Sequence, residues 1–270
     1  MVLIPGHGST DTPLWQQGCV VEFIPTLFES ELRDKRNAMS LLQEETPMSQ
    51  PYEQIYLLTI RGTLAPPSLE AARPVHNQTA GAPEGVAAAK SLGDLSHMVY
   101  VPVNKELAEL FIMDLWTSPS GLNQFFSDPQ VQQGAAMIFT QRDPVVWEPA
   151  EGFFTYHLPA PTGHNDRFFG LIRGPVASRE QARIIMNQVT IQGIHKARAA
   201  GHLSHDVYFR LAQPGMPESL ELFAIDGWSD LEGMNRYYDD PDFGHALGGL
   251  FTAQPMTLLL KHPAGEWVEW

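Results

Sequence analysis

The chain repeats itself, and an internal repeat limits the choice of fold more than any composition does. Ile60-Arg61-Gly62 returns as Ile172-Arg173-Gly174, and Ser68-Leu69-Glu70-Ala71-Ala72-Arg73 as Ser178-Arg179-Glu180-Gln181-Ala182-Arg183. Asn77-Gln78 returns as Asn187-Gln188, and Ser96-His97-Met98-Val99-Tyr100 as Ser204-His205-Asp206-Val207-Tyr208. Further on, Asp114-Leu115-Trp116 matches Asp226-Gly227-Trp228, Gly121-Leu122-Asn123 matches Gly233-Met234-Asn235, Asp128-Pro129 matches Asp240-Pro241, and Phe139-Thr140 matches Phe251-Thr252. The order is identical and the spacing drifts by a few residues. The sequence thus divides into an N-terminal extension over 1–50, a first repeat over 51–158 and a second over 166–270, with a Pro-rich stretch from Pro159 to Asn165 between them.

Each copy spells the same string of elements. Ile55 to Gly62 and Phe168 to Gly174 are apolar, β-prone runs ending in glycine, which reads as a strand. Ser68 and Ser178 follow where an N-cap belongs, each with Glu two residues on, favourable at the positive end of a helix. The helices are expected to reach Leu92 and Ala200, with Gly93 and Gly201 as C-caps and Pro83 splitting or kinking the first. Strands His97 to Val103 and Ala108 to Thr117 come next, matched by His205 to Ala212 and Leu220 to Ser229. A second helix begins near Pro119 or Asp230 and pauses at the Asp-Pro step, because a residue before proline disfavours the helical conformation. The last strands are Pro144 to Glu148 and Met256 to Lys261.

The resulting β-α-β-β-α-β unit is an antiparallel sheet with both helices on one face. Its other face needs cover. Two units packing sheet to sheet supply it within one chain. The fold class is α+β: two tandem ferredoxin-like repeats forming an intrachain dimeric barrel.

Composition narrows the partners. With a net charge of -14 the surface repels phosphate backbones and anionic lipid, so neither nucleic acid nor membrane is an expected partner. Cys19 is the single cysteine, which rules out an intrachain disulfide and a cysteine metal cluster. The N-terminus lacks a signal-peptide pattern, so a cytoplasmic location is expected.

The repeated polar and aromatic residues are the candidates for chemistry. His97 and His205 open strands, and an imidazole near neutrality suits a base that deprotonates a phenol or quinol; a strand-end histidine bonded to backbone or water is the plainer reading. Asp114 with Trp116, and Asp226 with Trp228, lie two apart and share a sheet face. Each Trp either walls an aromatic pocket or packs in the core, and each Asp either orients a base or caps the next helix. Asn123 and Asn235 either donate to a substrate oxygen or an O₂-derived anion, or face water. Tyr100 and Tyr208 have the opposite parity to the histidines and belong to another face. His202 and His205 have i, i+3 spacing, yet the expected turn and strand do not put them on one helix face. Asp94 replaces His202 in the first copy. No metal motif or nucleotide-binding glycine pattern is present.

The stretch containing Asp226, Trp228, Gly233, Pro241 and Phe243 resembles the dimeric α+β barrel superfamily, and most closely its antibiotic-biosynthesis-monooxygenase (ABM) domains. The shared pattern is an acidic residue, a Trp ending the third strand, a small residue on the following helix and a Pro-x-aromatic step. In the first copy Asp114, Trp116, Gly121 and Pro129 match, and Val131 stands where the aromatic belongs. The resemblance implies a cofactor-independent monooxygenase acting on an aromatic or quinol-type molecule. Its catalytic residues would be His205, Asn235, His97 and Asn123, and its substrate-binding residues Trp228, Asp226, Trp116 and Asp114. It implies no cofactor, with haem as the rival, and a monomeric pseudo-dimer or a homodimer. Two alternatives stand beside it: a non-catalytic ligand-binding or assembly protein, and a haem-dependent enzyme. The second copy fits the pattern better, so the intact pocket is expected beside Trp228.

Overall fold

A computed structural model describes residues 54–104, 108–157 and 167–270. The readings made on the extension, on Cys19 and on the Pro159 to Asn165 stretch fall outside these residues.

The first repeat runs β1 (Tyr56–Leu64), α1 (Leu69–Gln78), α2 (Pro83–Ser91), β2 (Asp94–Pro102), β3 (Glu109–Trp116), α3 (Pro119–Phe126), α4 (Pro129–Ile138) and β4 (Phe139–Pro149). After a two-residue strand β5 (Tyr156–His157), the second repeat runs β6 (Phe168–Pro175), α5 (Arg179–Ala199), β7 (His202–Arg210), β8 (Glu221–Trp228), α6 (Leu231–Tyr238), α7 (Pro241–Ala246) and β9 (Met256–Lys261). Ser68 and Ser178 cap α1 and α5, accepting from the backbone N–H of Ala71 and Gln181. Pro83 starts a separate helix, whereas α5 continues unbroken over the same stretch of the second repeat. Gly93 and Gly201 follow with positive φ, as a C-cap glycine should. The Asp-Pro step does more than pause the second helix: Asp128 and Asp240 N-cap a fresh one, accepting from Gln130 and Asp242.

Strand β4 is longer than the sequence suggests and carries Pro144 in its middle. Pro144 pairs with Ile60 on one side, and β4 meets its other neighbour only at Trp147, Glu148 and Pro149. A proline without an N–H is tolerated at such an edge.

The sheet order among the described residues is β4-β1-β3-β2-β9-β6-β8-β7-β5, with β4 also paired to β7. Each repeat thus has the same internal order, and two equivalent seams join them: β2 to β9, and β4 to β7. The sequence suggested two sheets laid face to face. The two sheets do face each other across a shared interior, and their edges also join and close the ring, with β5 outside it. Closure leaves no row of unpaired backbone groups along those edges.

A closed ring also explains why most strands are buried on both faces. Inside, Leu57, Phe111, Trp147, Leu171, Phe223 and Leu260 form one cluster drawn from both repeats. The Trp147 indole stacks on Phe223 at 4.8 Å and donates to Thr59 Oγ1 at 2.8 Å. Outside, each repeat's helices cover its own strands, with Trp116, Leu122 and Ile138 in the first and Trp228, Met234 and Tyr237 in the second. No helix among the described residues is long and apolar enough to cross a membrane.

Candidate active site

The β2–β3 and β7–β8 ladders set His97 opposite Asp114 and His205 opposite Asp226. The pairs close into short bonds, His97 Nδ1 to Asp114 Oδ1 at 2.8 Å and His205 Nδ1 to Asp226 Oδ1 at 2.6 Å. Both pairs face the helices, while Tyr100 and Tyr208 sit in or against the barrel-interior cluster, as strand parity requires.

The two repeats use this face differently. In the first, a cavity of about 700 Å³ is lined by His76, His97, Asp94 and Asp114 on its polar side and by Ile112, Phe125, Phe126, Val131 and Trp270 among its apolar walls. In the second, the equivalent space holds only about 40 Å³, room for a water molecule or two. The sequence pointed to the second repeat for the pocket, and the structure reverses this. Phe243, the aromatic residue that improved the second copy's match to the ABM pattern, packs on Tyr237 and Tyr238 and fills the space. Val131, the departure from the pattern, lines the open cavity. The break between α1 and α2 adds Thr79, Ala80 and Ala82 to the same lining.

The remaining sequence candidates divide. Trp116 and Trp228 are fully buried in the helix-side cores, so the packing reading holds over the pocket-wall reading. Asn123 and Asn235 are exposed on α3 and α6, away from both cavities. The buried side of each helix is set by Gly121-Leu122 and Gly233-Met234, and the next residue turns outward, so neither Asn meets a substrate oxygen in these cavities. His202 and His205 do converge, on Asp226: a bulge between His202 and Ser204 brings both to one side. His202 Nε2 lies 3.3 Å from Asp226 Oδ1 but off the hydrogen-bond line.

Sequence reasoning missed the straps. After β4 and after β9 the chain continues along the sister repeat's second strand and roofs its His–Asp pair. Trp270 exchanges backbone bonds with His97 and stacks on its ring at 4.6 Å; Tyr156 pairs with His205 in the same way. The repeated asparagines hold the straps. Asn77 donates to Glu266 O and accepts from Val268 N–H, and Asn187 donates to Gly152 O and accepts from Phe154 N–H. The recurrence of Asn77-Gln78 was the available signal.

Those bonds fix protons in the first site. With Asn77 Oδ1 turned toward Val268, the neighbouring His76 Nδ1, 3.1 Å away, must carry the hydrogen. Burial, and repulsion from His97, lower the His76 pKa to about 4, so His76 is neutral and its Nε2 is bare. It therefore accepts from His97 Nε2, 3.0 Å away, and His97 also donates from Nδ1 to Asp114. His97 rests as an imidazolium. Its pKa agrees: burial opposes the charge, and Asp114, Asp94 and Glu269 together outweigh burial and raise it. Asp94 accepts from Ser96 N–H and Trp270 Nε1; burial and the nearby Asp114 push its carboxyl up to about 7. In the second site burial alone would raise Asp226, but His205 and His202 reverse this and hold it well below the usual carboxylate range.

A haem held through histidine needs a ring nitrogen free to serve as axial ligand. Both ring nitrogens of His97, and both of His205, are already engaged within the protein, so neither fits that role. Among the described residues no group of three or more His, Cys, Asp or Glu side chains is disposed to hold a metal ion.

No family model and no curated protein matches the sequence. Solved structures do match the fold. An anthrone oxidase-like protein aligns with a TM-score of 0.55 at 14% identity, over 80% of this chain and 95% of its own. A candidate monooxygenase from Fusobacterium nucleatum subsp. nucleatum aligns with a TM-score of 0.53 at 8% identity, over 81% of this chain and 98% of its own. Set beside the strand order and the two seams, these likenesses identify the fold as a dimeric α+β barrel, with both halves carried on one polypeptide.

Proposed function

We propose that this protein oxidises a flat aromatic hydroxyl or quinol compound with molecular oxygen, in the first-repeat cavity and without a cofactor. The observation that carries the reading is the cavity itself: about 700 Å³ of mainly apolar space with an ion pair and a second carboxyl in its wall. Such a space buries an aromatic skeleton and presents polar groups to one end of it. The likeness in fold to an anthrone oxidase-like protein supports the same chemistry.

The roles differ from the sequence expectation of His97 as the base. An imidazolium is a poor proton acceptor, but a charge held in place stabilises an anion that forms beside it. Asp94, near half-ionised at neutral pH, is the better acceptor. It takes a proton from an activated CH₂ of the substrate. The carbanion passes one electron to O₂, and the resulting pair joins as a peroxide anion. The second C–H proton passes to the distal peroxide oxygen as the O–O bond breaks, which leaves a carbonyl and hydroxide, and the hydroxide departs as water with the proton that Asp94 held. One CH₂ and one O₂ thus give one C=O and one H₂O.

The test is oxygen uptake with a panel of anthrones and quinols. The rate is expected to climb as pH rises through about 7, where Asp94 ionises. Asp94→Asn is expected to lower kcat by about 100-fold or more and to remove that limb of the profile. No turnover of any panel member, or purified protein with a Soret band, would sink the proposal.

A further inference from the structure

The strands of a closed ring have two faces, and the inner face carries a cavity of its own. On β1, Ile60 points to the helix side and lines the first-repeat cavity, while Thr59 and Arg61 point inward and line a space of about 320 Å³ at one end of the barrel interior. Phe111, Trp147, Phe223 and Met256 give this space an apolar floor drawn from both repeats. Arg61 and Arg173, the arginines of the repeated Ile-Arg-Gly, complete its wall. The Arg173 guanidinium lies 5.2 Å from the centre of the Trp147 ring.

The two arginines are not held alike. Arg173 donates to two carboxylates, from Nε to Glu221 Oε1 at 2.5 Å and from Nη1 to Asp143 Oδ2 at 2.6 Å. Arg61 meets one, with Nε and Nη2 both on Oε2 of Glu109, the counterpart of Glu221, at 2.9 and 2.8 Å. Its Nη1 makes no hydrogen bond among the described residues. The difference traces to one pair of positions. Asp143 is the neighbour of Arg61 across β1 and β4, and Met256 is the neighbour of Arg173 across β6 and β9. Asp143 reaches over to the arginine of the sister repeat. The equivalent reach from position 256 leads to Arg61, and a methionine there brings no charge. The second carboxylate that completes Arg173 is therefore missing at Arg61, and the open space lies beside it.

We propose that this interior cavity is a second binding site, for a small molecule with a carboxylate and a short apolar body. The carboxylate pairs with the Nη1 side of Arg61, against the Met256 side chain and not in its place. The body lies on Phe111, Phe223 and Trp147. A guanidinium edge presents parallel N–H donors that match a carboxylate, and the apolar floor adds the burial of the remainder. The space is at the small end for a ligand pocket, so a single ring or a short chain is the limit. The site shares no lining residue with the first-repeat cavity and stands apart from the oxidase reading.

The experiment titrates the intact chain with benzoate and with benzamide, which share a shape and differ in charge. Benzoate is expected to bind about tenfold or more tightly than benzamide. It is expected to move the Trp147 indole ¹⁵N–H resonance, whose donor and its acceptor Thr59 both stand in this cavity's wall. The Trp270 indole, in the wall of the first-repeat cavity, is expected to stay in place. Met256→Asp supplies the missing carboxylate from within and is expected to weaken benzoate binding by about tenfold or more. Met256→Leu keeps the floor apolar and is expected to leave that binding unchanged. Equal affinity of wild-type protein for the two probes would overturn the proposal, as would a benzoate response at Trp270 in place of Trp147. Benzoate binding undiminished in Met256→Asp, or weakened equally in both variants, would do the same. If Met256→Asp does not fold, the wild-type comparison and the two indole resonances decide alone.

Discussion

Gly121→Val is expected to cost at least about 4 kcal/mol, enough to leave little folded protein. A Cβ at position 121 would sit 1.9 Å from the carbonyl oxygen of Leu92, and one at Gly233 would sit 1.9 Å from that of Ala200. These oxygens are backbone atoms at the ends of α2 and α5 and cannot swing aside as a side chain does. Helix α3, or α6 in the second repeat, must move off the sheet, and the cores around Trp116 and Trp228 open with it. Ordinary overpacking costs about 1–3 kcal/mol because flexible neighbours yield; here none is available. Gly244→Ala is the control, since a Cβ there meets nothing within 4 Å; within α7 it is expected to be neutral or stabilising by up to about 1 kcal/mol. Urea unfolding of the three proteins checks the prediction, and a Gly121→Val variant within about 1 kcal/mol of wild type would show that the helices are not held this closely.

The second large effect concerns Asp114→Asn and carries a pH signature. The folded pKa of His97 is raised. A group of this kind contributes stability that is fully present below its unfolded value, about 6.5, and lost as pH rises through the folded value. Removing the carboxylate leaves a buried imidazole whose charge only Asp94 and Glu269 still favour. The loss is expected to be about 3 kcal/mol at pH 6 and to shrink as pH rises through the raised folded value, where His97 gives up its charge. Asp226→Asn should behave differently at the acid end. The depressed carboxyl of Asp226 contributes stability above its unfolded value, about 3.9, which fades as pH falls through the folded one. A gap between wild type and Asp114→Asn that does not shrink at any pH above 6 would refute the ion-pair account of the first site.

Much of the architecture was legible because it was written twice. Caps at Ser68 and Ser178, glycines at 93 and 201, and strand parity at His97 and Tyr100 are local signals, and duplication shows which of them are structural habits of the unit. The His–Asp pairs depend on the register between strands, which no local signal supplies. What stayed hidden depends on contacts distant in sequence. Asn77 meets residues beyond position 260, so its role cannot be read from its neighbours. The open cavity lies in the copy that departs from the family pattern, because the aromatic residue of that pattern, Phe243, fills the space in the second repeat while Val131 leaves it open in the first. The bulge that turns His202 toward Asp226 likewise has no sequence mark apart from Asp94 standing in its place in the other copy.

The paired seams have one more consequence. Two identical chains assembled through the same seams would be bound by symmetry to carry the same residue at both equivalent positions, so both chambers would be vacant or both plugged. Fusion into a single polypeptide lifts that restriction. Val131 and Phe243 are free to differ, and one chamber is packed solid while its twin stays hollow.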